Sequence, residues 1–133
     1  MTYALDTNII IHLLQNSPPV TISRDAALKQ GELLVIPPYV HYEIRRGLLY
    51  VSAPVKEKLY HRLCSLCPVG DMTADAWETA AALYADLRRK HYTVGDADIL
   101  IAAFCIVNDF ILVTDNTKDF EHIDRLQMTN WAK

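Results

Sequence analysis

The stretch from Gly95 to Val107 constrains this chain more than any other. After Gly95-Asp96-Ala97-Asp98 come nine consecutive apolar residues, Ile99 to Val107. That is less than half of the ~20 residues a helix needs to cross a bilayer, so protein has to cover it. Gly95-Asp96 breaks the chain, Asp96 is a natural N-cap, and a helix from Ala97 onward is apolar on every side except at Asp98. Such a helix belongs inside, packed between a sheet and outer helices.

The rest of the chain supplies those layers. Tyr3-Ala4-Leu5 reads as a short strand ending at Asp6, followed by a helix over Asn8 to Gln15 that Asn16-Ser17-Pro18-Pro19 breaks. Ser23 can cap a helix over Arg24 to Gln30, which Gly31 stops. Leu33-Leu34-Val35-Ile36 is a buried strand, and Pro37-Pro38 opens a helix whose Val40, Ile44, Gly47 and Leu48 share one face. A further helix carries Val55, Leu59, Leu63 and Leu66, and Pro68-Val69 begins a short irregular stretch or strand. Thr73 caps a long helix with Trp77, Ala80, Tyr84 and Leu87 inward. Phe110 to Thr114 is a strand, and Leu126 to Asn130 an edge strand. Alternating helices and continuously apolar strands point to an α/β fold of three layers, a mainly parallel central sheet flanked by helices. With no linker, repeat or low-complexity tract, residues 1–133 read as a single domain.

Bulk properties decide less. A formal net charge of −3 neither supports nor excludes a nucleic-acid partner. No basic segment followed by an apolar one marks the start as a secretory leader, so a soluble, cytoplasmic protein without membrane attachment is expected. Three cysteines, an odd number, suggest reduced thiols. Cys64-Ser-Leu-Cys67 formally matches C-x-x-C, but it closes a predicted helix and has no Cys/His pair at zinc spacing, which favours buried or incidental thiols.

In open α/β sheets, ligands bind beyond the carboxyl ends of the strands. Asp6 follows the first strand directly, Asp115 follows the strand ending at Thr114, and Asp98 opens the buried helix. Glu43 lies at the edge of an apolar helical face. An unpaired charge beside nine apolar residues has to be capping, paired, protonated or bound to a cation. A favourable position at the positive end of its helix accounts for Asp98 alone. It does not account for acids converging from several elements with few bases nearby. A divalent cation is the natural counter-charge, and oxygen ligands of this kind suit Mg2+ or Mn2+.

At these residues the sequence resembles a known family. Leu5-Asp6-Thr7-Asn8-Ile9, Tyr42-Glu43-Ile44-Arg45-Arg46-Gly47, Gly95-Asp96-Ala97-Asp98-Ile99-Leu100-Ile101-Ala102-Ala103 and Leu112-Val113-Thr114-Asp115-Asn116-Thr117-Lys118-Asp119-Phe120 are similar to the four acidic motifs of PIN-domain proteins. The match is closest to VapC toxins and runs in order along essentially the whole chain. It implies a compact α/β fold, Mg2+- or Mn2+-dependent endoribonuclease activity and neutralisation by a small VapB-type antitoxin. It also implies a homodimer. Asp6, Glu43 and Asp98 match the first three acids, and the register selects Asp98 over Asp96. At the fourth position many relatives carry an acid where this chain has Asn116. Acids stand instead at Asp115 and Asp119, with Asp115 slightly ahead. The run Asn116-Thr117-Lys118-Asp119-Phe120 resembles a subgroup that cuts initiator transfer RNA, which makes transfer RNA a candidate substrate.

The mechanism this implies is phosphodiester hydrolysis. Asp6 and Asp98 would hold one ion, with Glu43 and the fourth acid placing a second. Alternatively Glu43 orients the water as a general base. Thr7, Asn8, Thr114 and Asn116 are candidates for hydrogen bonds that fix the carboxylates or touch substrate. Arg45 and Arg46 are candidate phosphate contacts, Arg46 the better, although it could pair with Glu43. The Arg88 to His91 cluster reads as an ordinary solvated helix end. His12 is expected in the core or at a solvated edge, and Tyr39, Tyr42, Tyr50, Tyr60 and Tyr84 in packing or a dimer interface.

Two rivals remain. An Asp-dependent phosphatase needs a second acid two residues after the first, where Asn8 stands. A non-catalytic PIN module binding RNA or a protein partner would be separated from the enzyme by metal-dependent cleavage. No Gly-rich nucleotide-binding motif is present.

Overall fold

The computed structural model describes all 133 residues. β1 (Thr2–Leu5) pairs in parallel with β2 (Leu33–Val35) on one side and β3 (Ile111–Val113) on the other. β4 (Met128–Thr129) continues beyond β3, also parallel, so the order is β2-β1-β3-β4. Six α-helices connect the strands: α1 (Thr7–Leu14), α2 (Pro18–Lys29), α3 (Pro38–Val51), α4 (Pro54–Leu66), α5 (Ala74–Arg89) and α6 (Asp96–Asn108). Consecutive strand residues point to opposite faces. Ala4 and Leu5 are both buried, as are Leu112 and Val113, so both faces of the sheet are covered and the expected three-layer α/β arrangement is observed.

The expected buried helix is α6. Ile99 and Ile101 through Cys105 are buried, while Leu100, Ile106 and Val107 are half-buried. Gly95, rather than Asp96, occupies the N-cap, and Asp96 becomes the first helical residue with no side-chain cap bond. A close approach explains Gly70. A Cβ there would lie 2.4 Å from the Phe104 ring of α6, so only glycine lets this segment lie against the helix.

Several expectations are corrected. Pro18-Pro19 starts α2 instead of ending α1. Proline is tolerated in the first helical turn, and Ser17 is the flanking residue, so Ser23 lies inside the helix. On α4 the buried positions are Tyr60 and Leu63, with Cys67 just past its end completing an i, i+3, i+7 stripe, whereas Val55 and Leu66 are exposed. On α5, Ala80 and Leu87 face inward but Trp77 and Tyr84 do not; both are exposed. Pro68-Val69 contributes a single parallel bridge to Ile36. Cys64, Cys67 and Cys105 are unpaired, and the last two are buried.

Candidate active site

The chain enters β2 from β1 on one side of the sheet and reaches β3 on the other. The carboxyl ends of β1 and β3 therefore flank the point where the strand order reverses. Asp6 sits at the end of β1, its N–H donating to Val113 of β3 at 2.9 Å. It also caps α1, accepting the Thr7 N–H at 2.8 Å through Oδ1. One residue thus ends a strand, starts a helix and points a carboxylate into the reversal point.

Three more groups hold that carboxylate. Thr114, fully buried just after β3, donates its hydroxyl to Asp6 Oδ2 at 2.8 Å. The Thr114 Oγ1 itself accepts the Asn116 N–H at 3.0 Å and lies 3.4 Å from the Asn8 amide nitrogen, which turns its proton toward Asp6. Asn8 Nδ2 donates to Asp6 Oδ2 at 3.1 Å, while Asn8 Oδ1 accepts the Asp115 N–H at 3.1 Å. The amide is used at both ends, so its orientation is set. Burial pushes the Asp6 carboxyl above its ordinary value. The bonds from Thr114, Thr7 and Asn8 pull it back, and the Glu43 charge adds a smaller upward push.

Glu43 comes from α3. Its Oε1 accepts the Thr7 hydroxyl at 2.7 Å, and Arg46, one turn along, places a guanidinium nitrogen 3.7 Å from Oε2. Asp98 comes from the first turn of α6, half-buried. Its carboxyl is pushed up to about 6, first by burial and then by the charges of Asp6, Asp119 and Glu43, with no hydrogen bond offsetting them. Asp6, Thr7, Asn8, Glu43, Asp98 and Asn116 together line one open cavity of about 230 Å3, and no lysine or arginine lines it.

The two candidates for the fourth acid stand in different surroundings. Asp115 turns away to His12, with Nε2 2.9 Å from Oδ2, and the other ring nitrogen of His12 lies 3.3 Å from Ser17 Oγ. Asn116 lines the cavity, and Asp119 is close enough for its charge to act on Asp98. Asp115 is thus engaged by His12, while the Asp119 charge acts on Asp98. His12 and its partner escaped the sequence reading. The available signal was that Asn8 and His12 lie four apart on α1 and share a face; both reach residue 115. Tyr42 carries Arg46 5.1 Å above its ring on the outer side of α3. Arg45 instead pairs with Glu57 of α4, away from the cavity. Lys90 pairs with Asp86 at 3.1 Å, as a solvated helix end would.

The donor set can be tested against a divalent cation. No three acidic, histidine or cysteine side chains stand close enough to enclose an ion by themselves. Mg2+, however, keeps several waters and takes one or two carboxylates. Asp98, half-buried without a protein hydrogen bond, and Asp6 on the same cavity make such a pair, with Glu43 facing them. Every oxygen is hard and the lining holds no lysine or arginine, with Arg46 meeting Glu43 from outside it at 3.7 Å, so the residues fit such an ion.

The chain matches the PIN domain family model over residues 3–126. It is similar to "Ribonuclease VapC1" of Haemophilus influenzae (strain R2866), 29% identical over 138 residues and covering 100% of both chains. It is 28% identical over 133 residues to the "tRNA(fMet)-specific endonuclease VapC" of Shigella flexneri, covering 99% of each. Its fold superposes on a chain of the VapBC2 structure from Rickettsia felis, solved bound to a DNA fragment from the promoter. The TM-score there is 0.83 at 28% identity, covering 98% of this chain and 99% of that one.

Proposed function

The chain belongs to the PIN domain family, and on that premise we propose that it is a toxin ribonuclease that cuts RNA by phosphodiester hydrolysis and is neutralised by a VapB-type antitoxin. The observation that carries this reading is the cavity at the carboxyl ends of β1 and β3, where Asp6, Glu43 and Asp98 meet in a lining that holds no lysine or arginine. Full-length similarity to proteins named as VapC ribonucleases, and to a chain solved within a VapBC complex, supports the activity and the partner.

Asp6 and Asp98 would hold a Mg2+ or Mn2+ ion, with Glu43 and Asp119 available for a second. When bound, such an ion supplies the positive charge that makes water acidic enough to attack at neutral pH and that offsets charge on the phosphate. The chain's own residues do the rest. Thr7, Asn8 and Thr114 keep the Asp6 and Glu43 carboxylates oriented, so that little reorganisation is needed during the reaction. As an alternative to holding a second ion, Glu43, whose Oε1 is committed to Thr7, would accept the proton of the attacking water through Oε2 once Arg46 has moved off it. Arg46 stands at the rim, where it can leave Glu43 to contact a phosphate oxygen.

Transfer RNA is the proposed substrate class, in keeping with the Shigella relative's name, and the cytoplasm is the proposed compartment. No helix is long and apolar enough to cross a membrane. A homodimer is proposed as well: the exposed Trp77 and Tyr84 of α5 line a surface cavity of about 320 Å3 with Leu100 of α6, an apolar face suited to a second copy.

The test is cleavage of a total transfer-RNA pool with Mg2+, with Mn2+ and with chelator, comparing wild type with Asp98→Asn. Discrete fragments that require the ion and vanish in the variant are expected. A folded, antitoxin-free protein that cuts neither this pool nor total RNA would overturn the enzyme in favour of a binding module.

A further inference from the structure

Charge is unevenly spread along this chain. Residues 38–66, which span α3 and α4, hold five Lys/Arg against two acids, a net of +3, while the remaining eight bases and fourteen acids leave −6 elsewhere. Most of that positive charge gathers around a second cavity, about 500 Å3, between the two helices. His41 and Arg45 of α3 line it with Glu57, Lys58, His61 and Arg62 of α4. Arg45 is engaged by Glu57. Lys58, His61 and Arg62 are exposed, and none of the protein's seven salt bridges uses them. Lys58 and Arg62 sit at i and i+4 on one face of α4, where like charges repel, with His61 between them. The cavity floor is fixed rather than loose, because buried Tyr60 stacks on His41 and its hydroxyl lies 2.7 Å from Nδ1. Burial, and then the Arg45 charge, hold the His41 imidazole below its ordinary value.

The cavity's position relative to the carboxylates follows from helix geometry. At about 100° per residue, Glu43 lies roughly 200° round α3 from His41 and about 160° from Arg45. The acidic cleft and the basic cavity therefore occupy opposite flanks of one helix, about 10 Å across. The solvent-facing ridge between them is Tyr42 and Arg46, with the guanidinium 5.1 Å above the ring and Tyr39 a further aromatic 5.7 Å from Tyr42. An extended strand leaving the cleft over this ridge meets a π-face and a guanidinium, then a cavity of unpaired cations. Aromatic faces alternating with a cationic groove are how single-stranded nucleic acid is held without sequence preference. A peptide would use the cations but has less use for the stacking ridge.

We propose that the cavity between α3 and α4 is a phosphate-backbone site that holds single-stranded RNA next to the segment lying in the carboxylate cleft. This rests on the ribonuclease reading but is tested separately from it. Binding of a fluorescent 20-nucleotide single-stranded RNA would be followed over a salt series in the full chain carrying Asp98→Asn, which leaves the RNA intact. Adding Lys58→Gln, His61→Gln and Arg62→Gln should weaken binding roughly tenfold at 0.1 M salt and reduce the log–log salt slope by about 1.4, ~0.7 for each full cation lost. Lys58→Arg with Arg62→Lys should keep the slope, as should Arg88→Gln with Arg89→Gln at the end of α5.

An unchanged slope and affinity in the triple variant, with an unchanged melting curve, would overturn the site. So would a poly-glutamate peptide whose binding is lost in the triple variant while RNA binding is not; the occupant would then be an acidic protein segment. Cleavage of a tetranucleotide, which fills only the cleft, separates the two readings. If the otherwise wild-type chain cuts no RNA but the triple variant binds RNA more weakly, the nuclease fails and the site stands. If it cuts while the triple variant binds normally, the site fails and the nuclease stands.

Discussion

The two flanks of α3 carry opposite charge problems. On one side Glu43 joins Asp6 and Asp98 in a cavity without lysine or arginine. On the other, Lys58, His61 and Arg62 crowd together around a cavity whose one acid, Glu57, is already taken by Arg45. Uncompensated charge is unfavourable in both places, yet the two are built differently. The acids are partly buried, and two of them are held by hydrogen bonds: Asp6 by Thr7, Asn8 and Thr114, and Glu43 by Thr7. The bases are exposed and unrestrained. Rigid, desolvated charge suits chemistry at one atom, whereas flexible surface charge suits a polyanion that arrives in many conformations.

The strongest way to break this contrast is to neutralise the acids. Asp98→Asn should reduce kcat by ~10⁴-fold in single-turnover cleavage while leaving long-RNA binding intact. A loss of binding as large as the loss of rate would erase the distinction between the flanks. Next comes the support of Asp6. Thr114→Val keeps the buried shape but removes the donor to Oδ2, and should lower activity or metal affinity by about 10–100-fold. A silent Thr114→Val would mean that Asp6 does not need holding.

A smaller effect decides the fourth acid. Asp119→Asn should slow cleavage several-fold, and Asp115→Asn should do less, because Asp115 is spent on His12. The reverse order would return Asp115 to the cleft. The smallest effect is on stability. Asp98 is raised from 3.8 to about 6 in the folded state. Its contribution to stability is therefore complete below about pH 4 and lost as pH rises through 6. Without divalent ions, Asp98→Asn should melt higher than wild type at pH 7.5, by roughly 3 °C, with the gap closing near pH 4. A wild type that is the more stable of the two at pH 7.5 would show that the carboxylates are already compensated.

Much of the molecule was legible in its residues. β1 ending at Asp6, the all-round apolar α6 and continuously apolar strands lead to a covered parallel sheet, because chain periodicity and burial are local properties. The three shared acids were legible too, since each follows a strand or opens or edges a helix whose end the topology brings to the same rim. Other features depended on which neighbour occupies the adjoining space. Trp77 and Tyr84 fit an inward stripe on α5, yet the packing of α5 on α6 turns them outward. Asp115 and Asp119 are equivalent as text, and only the approach of His12 from α1 diverts the first. Asp96 could cap α6, but the helix begins at Asp96 itself, with Gly95 in the N-cap place.

The sequence by itself determined the fold class, the order of the elements and the acids at the sheet's carboxyl edge, because hydrophobic period, breakers and the cost of an unpaired buried charge act over a few residues. Only the tertiary structure decided that Asp115 meets His12 and that α3 separates an acidic cleft from a basic cavity. Both depend on side chains far apart in the chain being brought within a few ångströms, and Coulomb interactions follow distance in space rather than separation in sequence.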